Sequence, residues 1–203
     1  LLLKPAGAKA LLVLAHGAGA GMRHRFMEDT AVKLGDRAIA TLRYHFPYME
    51  KRIKRPDSEA VLTDSVRAAV ATAKKYAGDL PIFAGGKSMG GRMTSLAAAN
   101  EPLDVVRGLV YFGFPLHAMG KPAADRGGHL ADINLPMLFL QGSRDGLADL
   151  KLLKSLCKKL GTELFIVEGG DHSFHMLKSA KRTDEEVLSE VAAKAAEWMI
   201  KNL

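Results

Sequence analysis

Cysteine, aromatic residues and long apolar runs are all scarce in this sequence. Its 203 residues include a single cysteine, Cys157, which excludes an intramolecular disulfide. No apolar run approaches the roughly 20 residues of a membrane-spanning helix, and the three leucines at residues 1–3 are too few for the apolar part of a signal peptide. These scarcities favour a cytoplasmic protein with no membrane partner.

Aromatic residues make up 6% of the chain, whereas its net charge is +7. A nucleic-acid-binding protein would present basic side chains on one face, interleaved with aromatic ones. The basic clusters at 51–55, 121–126, 151–159 and 178–182 lack that pattern. The third cluster occupies the outer face of a predicted helix whose inner stripe includes Cys157, so that thiol is expected to be a buried apolar group. We therefore expect no nucleic-acid partner.

Apolar runs alternate with helical patterns along the whole chain. We predict strands at 10–15, 39–44, 80–84, 109–112, 137–140 and 164–167. Predicted helices cover 25–34, 58–76 and 92–100, a segment around Cys157, and a C-terminal segment that opens with the capping box of Thr183 and Glu186. The helix at 58–76 is expected to bury Val61, Leu62, Ser65, Ala69, Ala73 and Tyr76. This alternation predicts one α/β domain over residues 1–203, with a mostly parallel sheet covered by helices on both faces.

The pentapeptide Gly86-Lys87-Ser88-Met89-Gly90 fits the pattern G-x-S-x-G of the nucleophile elbow of serine hydrolases. An apolar strand pattern precedes it and a helical pattern follows it. That context matters because the elbow places a serine in a tight strand-to-helix turn, which small neighbours must flank. Ser88 is therefore the predicted nucleophile.

Two further polar segments follow predicted strands at the same edge of the sheet. Asp145 comes two strands after Ser88, and His172 comes after the last strand, which gives the chain order Ser, Asp, His. His172 is the predicted base and Asp145 the acid that orients it. Asp149 and His175 are the alternatives, and Asp145 could instead cap a helix.

Other chemistries fit the sequence poorly. A phosphate-binding loop whose second glycine is Gly86 would need a glycine at position 81, which is Pro81. A dinucleotide-binding motif that starts at Gly17 would need a glycine at position 22, which is Met22. No cluster of potential ligands has metal-binding spacing. We expect neither a metal nor a cofactor. Four histidines have no identifiable partner and are expected at the surface or in loops, namely His24, His45, His117 and His129.

These motifs resemble those of the α/β-hydrolase superfamily, in a small form close to the dienelactone hydrolases. Within it, the chain looks like the group of testis-expressed hydrolase-like proteins and a hydrolase-like subunit of a histone-acetylation complex. The resembling segments cover much of the chain: 16–19, 86–92, 114–117, 141–145 and 170–174. Dienelactone hydrolases carry a cysteine nucleophile, whereas this chain has Ser88.

The resemblance implies an α/β-hydrolase fold and an oxyanion hole formed by the amides of Met89 and Ala18, with the residue on either side of Ala18 as the alternative second donor. His16 would brace that loop. The implied function is cleavage of small carboxylic esters or thioesters through an acyl-enzyme intermediate. The alternative is a scaffold with a vestigial triad.

Residues 114–135 are too few for a separate cap domain, so we expect an open site that favours short acyl chains. Lys87, Arg23 and Arg25 could favour an acidic substrate, although ordinary surface charge is the preferred interpretation.

Overall fold

The computed structural model describes residues 1–203 and alternates strands with helices. The strands are β1 (Leu2–Leu3), β2 (Ala10–Ala15), β3 (Ile39–Tyr44), β4 (Ile82–Lys87), β5 (Val106–Phe112), β6 (Met137–Gly142) and β7 (Glu163–Val167). The α-helices are α1 (Arg25–Gly35), α2 (Pro47–Glu50), α3 (Glu59–Ala77), α4 (Met89–Asn100), α5 (Leu150–Leu160) and α6 (Asp184–Lys201). Two 3-10 helices cover Asp125–Asp132 and Lys178–Ala180.

The seven strands form one sheet in the order β1-β3-β2-β4-β5-β6-β7. All neighbours pair in parallel except β1, which pairs antiparallel with β3 at the edge. Strand β2 is buried at every position, as expected of a parallel strand covered on both faces. The predicted α/β class and mostly parallel sheet are confirmed.

Helices cover both faces of the sheet and divide its apolar side chains into two clusters. Helices α1 and α6 pack over one face, where Leu12 and Leu14 of β2 point. Helices α3, α4 and α5 pack over the other face, where Leu11 and Val13 point. Alternate residues of one strand enter opposite clusters because successive side chains of a strand point to opposite faces.

Helix α3 begins and ends one residue later than predicted, and part of its predicted inner face was wrong. Val61 is 40% exposed and Tyr76 is 55% exposed, whereas Val66 and Val70 are buried. Helix α3 packs on β2 and α4 along a stripe that includes Leu62, Val66 and Val70. Apolar side chains lie on more than one side of this helix, so periodicity alone did not select the buried side.

Polar segments collect at the carboxyl ends of the strands, which all lie at one edge of a parallel sheet. The turns after β2, β4, β6 and β7 carry His16, Ser88, Asp145 and His172. Residues 114–135 contribute only the 3-10 helix Asp125–Asp132, and no cap domain covers this edge. None of the helices combines the length and apolar character needed to cross a membrane. The cytoplasmic location stays a prediction.

Candidate active site

Ser88 lies at a sharp turn between the central strand β4 and helix α4. Its backbone φ of 51° and ψ of −118° are unusual for a residue with a side chain and cost about 1–3 kcal/mol. The flanking glycines allow the backbone of this turn to pack closely against β2. A Cβ atom on Gly86 would lie 2.4 Å from the carbonyl oxygen of Ala15, and one on Gly90 would lie 2.6 Å from the carbonyl oxygens of Ala15 and His16.

The His172 imidazole reaches Ser88 from the loop after β7. Its Nε2 atom lies 2.8 Å from the Ser88 Oγ atom, which is hydrogen-bonding distance. The loop approaches closely because Gly142 at the end of β6 has no side chain: a Cβ atom there would lie 2.4 Å from the carbonyl oxygens of Gly170 and Asp171. The His172 side chain keeps 23% of its surface exposed, so solvent reaches the imidazole.

The Asp145 carboxylate lies on the far side of this imidazole. Its Oδ2 atom is 2.7 Å from the His172 Nδ1 atom, and the carboxylate is fully buried. Two other donors hold it: the Leu147 amide donates to Oδ1, and the Gln141 side-chain amide donates to Oδ2. Gln141 in turn accepts a hydrogen bond from the Phe114 amide. These hydrogen bonds compensate for the burial of the carboxylate next to His172.

The two alternative residues have other roles. Asp149 is the N-cap of α5, where its carboxylate accepts a hydrogen bond from the Leu152 amide. His175 is exposed and its Nδ1 atom pairs with Asp184 at 2.7 Å, which raises the pKa of the histidine. Neither side chain is hydrogen-bonded to Ser88 or His172. The structure thus brings Ser88, Asp145 and His172 together and places Asp149 and His175 elsewhere.

Two backbone amides near Ser88 make no hydrogen bond inside the protein. Met89 is the first residue of α4, so its amide has no acceptor within the helix. In the loop after β2, the Ala18 amide is also unused, whereas the Gly19 amide donates to the Tyr48 hydroxyl at 3.0 Å. Ala18 therefore suits an oxyanion donor better than Gly19.

The His16 side chain supports the same loop through hydrogen bonds. The side chain is fully buried, and its Nε2 atom accepts a hydrogen bond from the Phe46 amide at 3.1 Å. The Nδ1 atom lies 2.8 Å from the Gly17 carbonyl oxygen. Because Nε2 accepts, Nδ1 is the protonated nitrogen and donates to that carbonyl. Burial lowers the pKa of His16, which agrees with a neutral, bracing histidine.

Lys87 is not an ordinary surface charge, and this interpretation of its side chain was wrong. It is 9% exposed, and its ammonium donates a hydrogen bond of 2.5 Å to the carbonyl oxygen of His172. The rings of Phe26 and Phe174 lie 5.7 Å from the same nitrogen. Burial lowers the pKa of Lys87 to about 8, and the nearby carboxylates of Asp145 and Asp171 partly offset this effect. Strand alternation could have indicated that Lys87 points into the α1 and α6 face, as Phe83 does.

All four histidines expected at the surface or in loops have partners in the structure. The His24 Nδ1 atom accepts a hydrogen bond from the Phe26 amide at 3.3 Å, and the His45 Nδ1 atom lies 3.0 Å from the Glu50 Oε1 atom.

The partners of His117 and His129 lie far from them in the sequence. His117 is buried in a loop, where its Nε2 atom accepts a hydrogen bond from the Asp149 amide at 2.7 Å. The His129 Nε2 atom lies 2.7 Å from the Ser95 Oγ atom on α4. Both pairs join residues about 30 positions apart, which local sequence patterns do not reveal.

An open cavity of about 280 Å³ lies beside Ser88. Its walls come from the loop after β2, the start of α1, the end of β4 and the His172 loop. The lining residues are Gly17, Ala18, Ala20, His24, Phe26, Met27, Lys87, Ser88, His172 and Ser173. A larger cavity of about 560 Å³ adjoins it and shares the lining residues His24, Phe26 and Ser173. No group of three or more metal-ligating side chains occurs in the protein.

Residues 8–200 match the sequence model of a family described as alpha/beta hydrolase domain. The fold is similar to that of dienelactone hydrolase from Anabaena variabilis, with 22% identity, a TM-score of 0.74, and 100% of this chain and 90% of that chain covered. It is also similar to Est1E from Butyrivibrio proteoclasticus with ferulic acid bound, at 18% identity, a TM-score of 0.77, and coverages of 100% and 94%. A serine hydrolase without lid from Xanthomonas campestris shares 17% identity, with a TM-score of 0.75 and coverages of 97% and 87%.

Proposed function

Because this chain belongs to the alpha/beta hydrolase domain family, we propose that it is a serine hydrolase of small carboxylic esters or thioesters. The observation that carries the proposal is the 2.8 Å contact between the Ser88 Oγ atom and the His172 Nε2 atom at a strained strand-to-helix turn. A serine hydroxyl is a weak nucleophile at neutral pH and needs an adjacent base of this kind.

In the proposed acylation step, Ser88 attacks the carbonyl carbon of the ester while His172 takes the hydroxyl proton. Asp145 holds the imidazole with its Nδ1 proton directed at the carboxylate and stabilises the imidazolium that forms. The amides of Met89 and Ala18 donate hydrogen bonds to the tetrahedral oxyanion. As the intermediate collapses, the carbon–oxygen or carbon–sulfur bond breaks, and His172 returns its proton to the leaving group.

Water then completes the cycle. It attacks the acyl carbon of the Ser88 ester while His172 again takes a proton. Collapse of the second tetrahedral intermediate breaks the bond to Ser88, and the proton returns to its Oγ atom. The products are a carboxylic acid and an alcohol or thiol. The open edge of the sheet supports this step, since solvent reaches His172 without passing a cap.

The substrate class has independent support from the structural neighbours. One is a dienelactone hydrolase and another was solved with ferulic acid bound. Ester substrates for this chain are our inference from these names and from the geometry around Ser88. The resemblance to the testis-expressed and histone-acetylation-complex group stays a prediction.

A fluorophosphonate probe tests the proposal because it reacts with an activated serine whatever the natural substrate is. We expect the intact protein to be labelled at Ser88 and to hydrolyse 4-nitrophenyl acetate. Ser88→Ala and His172→Ala should each abolish turnover, while His175→Ala should retain it. Circular dichroism of each variant controls for folding. A well-folded protein with neither labelling nor turnover would instead indicate the scaffold alternative.

A further inference from the structure

The Lys87 ammonium is buried beside the proposed nucleophile with no carboxylate partner. No Asp or Glu oxygen lies within 4.0 Å of its Nζ atom, although Asp145 and Asp171 act on it from farther away, and the His172 carbonyl oxygen is the one acceptor it contacts. An ammonium carries three N–H donors, so two are unused. Buried charges in proteins are normally paired, because burial without a partner is costly. Lys87 thus departs from what folding alone would favour.

The position of Lys87 connects this unpaired charge to the catalytic cavity. Its side chain lines the same cavity as Ser88 and His172. The Nζ atom lies 5.7 Å from the ring of Phe26, which also lines that cavity. Gly113, with φ of 67°, leaves room for the ammonium, because a Cβ atom there would lie 2.7 Å from Nζ. A ligand in this cavity therefore lies against Lys87, the residue that directly precedes Ser88.

We propose that Lys87 binds a free carboxylate of the substrate, so that the enzyme favours small esters that also carry a negative charge. This inference rests on the proposed function. A substrate carboxylate would accept the unused N–H donors of the ammonium and supply a direct counter-charge, which Asp145 and Asp171 provide only from a distance. The interaction is a charge-assisted hydrogen bond in a largely desolvated site, where such bonds are strong. Phe26 and Phe174 shield the ammonium from water and so strengthen it further.

Two pairs of esters test the preference. The first compares the 4-nitrophenyl half-ester of adipic acid with 4-nitrophenyl pentanoate, and the second compares 4-acetoxybenzoate with 4-acetoxybenzamide. The first pair places the carboxylate on the acyl side and the second on the leaving group. The measured quantity is the ratio of kcat/KM for the anionic ester to that for the neutral ester.

Removing the ammonium should lower this ratio in at least one pair. We expect Lys87→Met and Lys87→Gln to reduce it about tenfold or more, the size expected for a charge-assisted hydrogen bond. Lys87→Arg should retain part of the preference because it keeps the charge. Lys154→Met, which removes an exposed lysine of α5, should leave the ratio unchanged and controls for net charge. Equal ratios in the wild type and both neutral variants, for both pairs, would overturn the proposal.

A binding measurement separates failure of this inference from failure of the proposed function. Monomethyl glutarate and dimethyl glutarate are titrated by NMR into the Ser88→Ala variant and into Ser88→Ala with Lys87→Met. Tighter binding of the monoacid only where Lys87 is present supports the carboxylate site, even if no ester is hydrolysed. Equal binding of the two compounds to both proteins would contradict it, even if Ser88 proves to be a nucleophile.

Discussion

Burial of the Lys87 ammonium costs the folded protein stability. Its pKa is about 8 in the folded protein, against 10.5 for a free lysine. Below pH 8 the amine is protonated in the folded and unfolded states alike, and the folded state then carries a cost of about 3 kcal/mol. Between pH 8 and 10.5 the unfolded chain holds more protons, so the cost falls as the pH rises.

Lys87→Met should therefore stabilise the protein at neutral pH. We expect its free energy of unfolding to exceed that of the wild type by about 1–3 kcal/mol at pH 7, as when buried charges are replaced by apolar side chains of similar size. The difference should shrink at pH 10. Urea unfolding at both pH values measures it, with Lys154→Met expected within about 0.5 kcal/mol of the wild type. A Lys87→Met protein that is less stable at pH 7 would mean that the bond to His172 holds the loop in place.

At the scale of elements, two acids between the end of β6 and the start of α5 have different structural roles. The chain leaves β6, turns at Asp145 and enters α5 four residues later at the N-cap Asp149. The turn directs Asp145 inward to His172, while Asp149 satisfies the Leu152 amide at the helix end. The carboxylate after β6 thus contacts His172, and a different carboxylate caps α5.

Asp149→Ala should weaken the helix without affecting the chemistry. The lost N-cap is expected to lower the free energy of unfolding by about 1 kcal/mol, while kcat/KM stays near the wild-type value. Asp145→Asn is the matched comparison and should reduce kcat strongly, because an amide leaves the imidazole in the wrong tautomer. Chemical unfolding and ester kinetics on both variants test this division. A large loss of kcat in Asp149→Ala would contradict it.

At the scale of the whole molecule, the absence of a cap leaves the Ser88 cavity open at the carboxyl edge of the sheet. Residues 114–135 add only one 3-10 helix there. A cavity of about 280 Å³ accommodates a small acyl group. Charged side chains, among them Arg25 and Asp184, line the adjoining cavity of about 560 Å³.

We accordingly expect a preference for short acyl chains. Values of kcat/KM across acetyl, butyryl, octanoyl and palmitoyl 4-nitrophenyl esters, measured below their aggregation limits, should be highest at the short end. Long chains would leave apolar surface in water and so gain little binding energy. A clear optimum at palmitoyl would refute the open-site interpretation and indicate a partner chain that acts as a lid.

Local patterns in the sequence were sufficient to predict the α/β class, the parallel sheet and the elements around Ser88. Strand alternation, helix capping and glycine-flanked turns each depend on only a few neighbouring residues. The capping box at Thr183 and Glu186 is present as predicted. Only the tertiary structure decided which histidine contacts Ser88 and which acid contacts that histidine, because those contacts join positions 84 and 27 residues apart. It likewise decided that Lys87 is buried. Burial depends on what packs above a side chain, and the Phe26 and Phe174 rings come from elements distant in sequence.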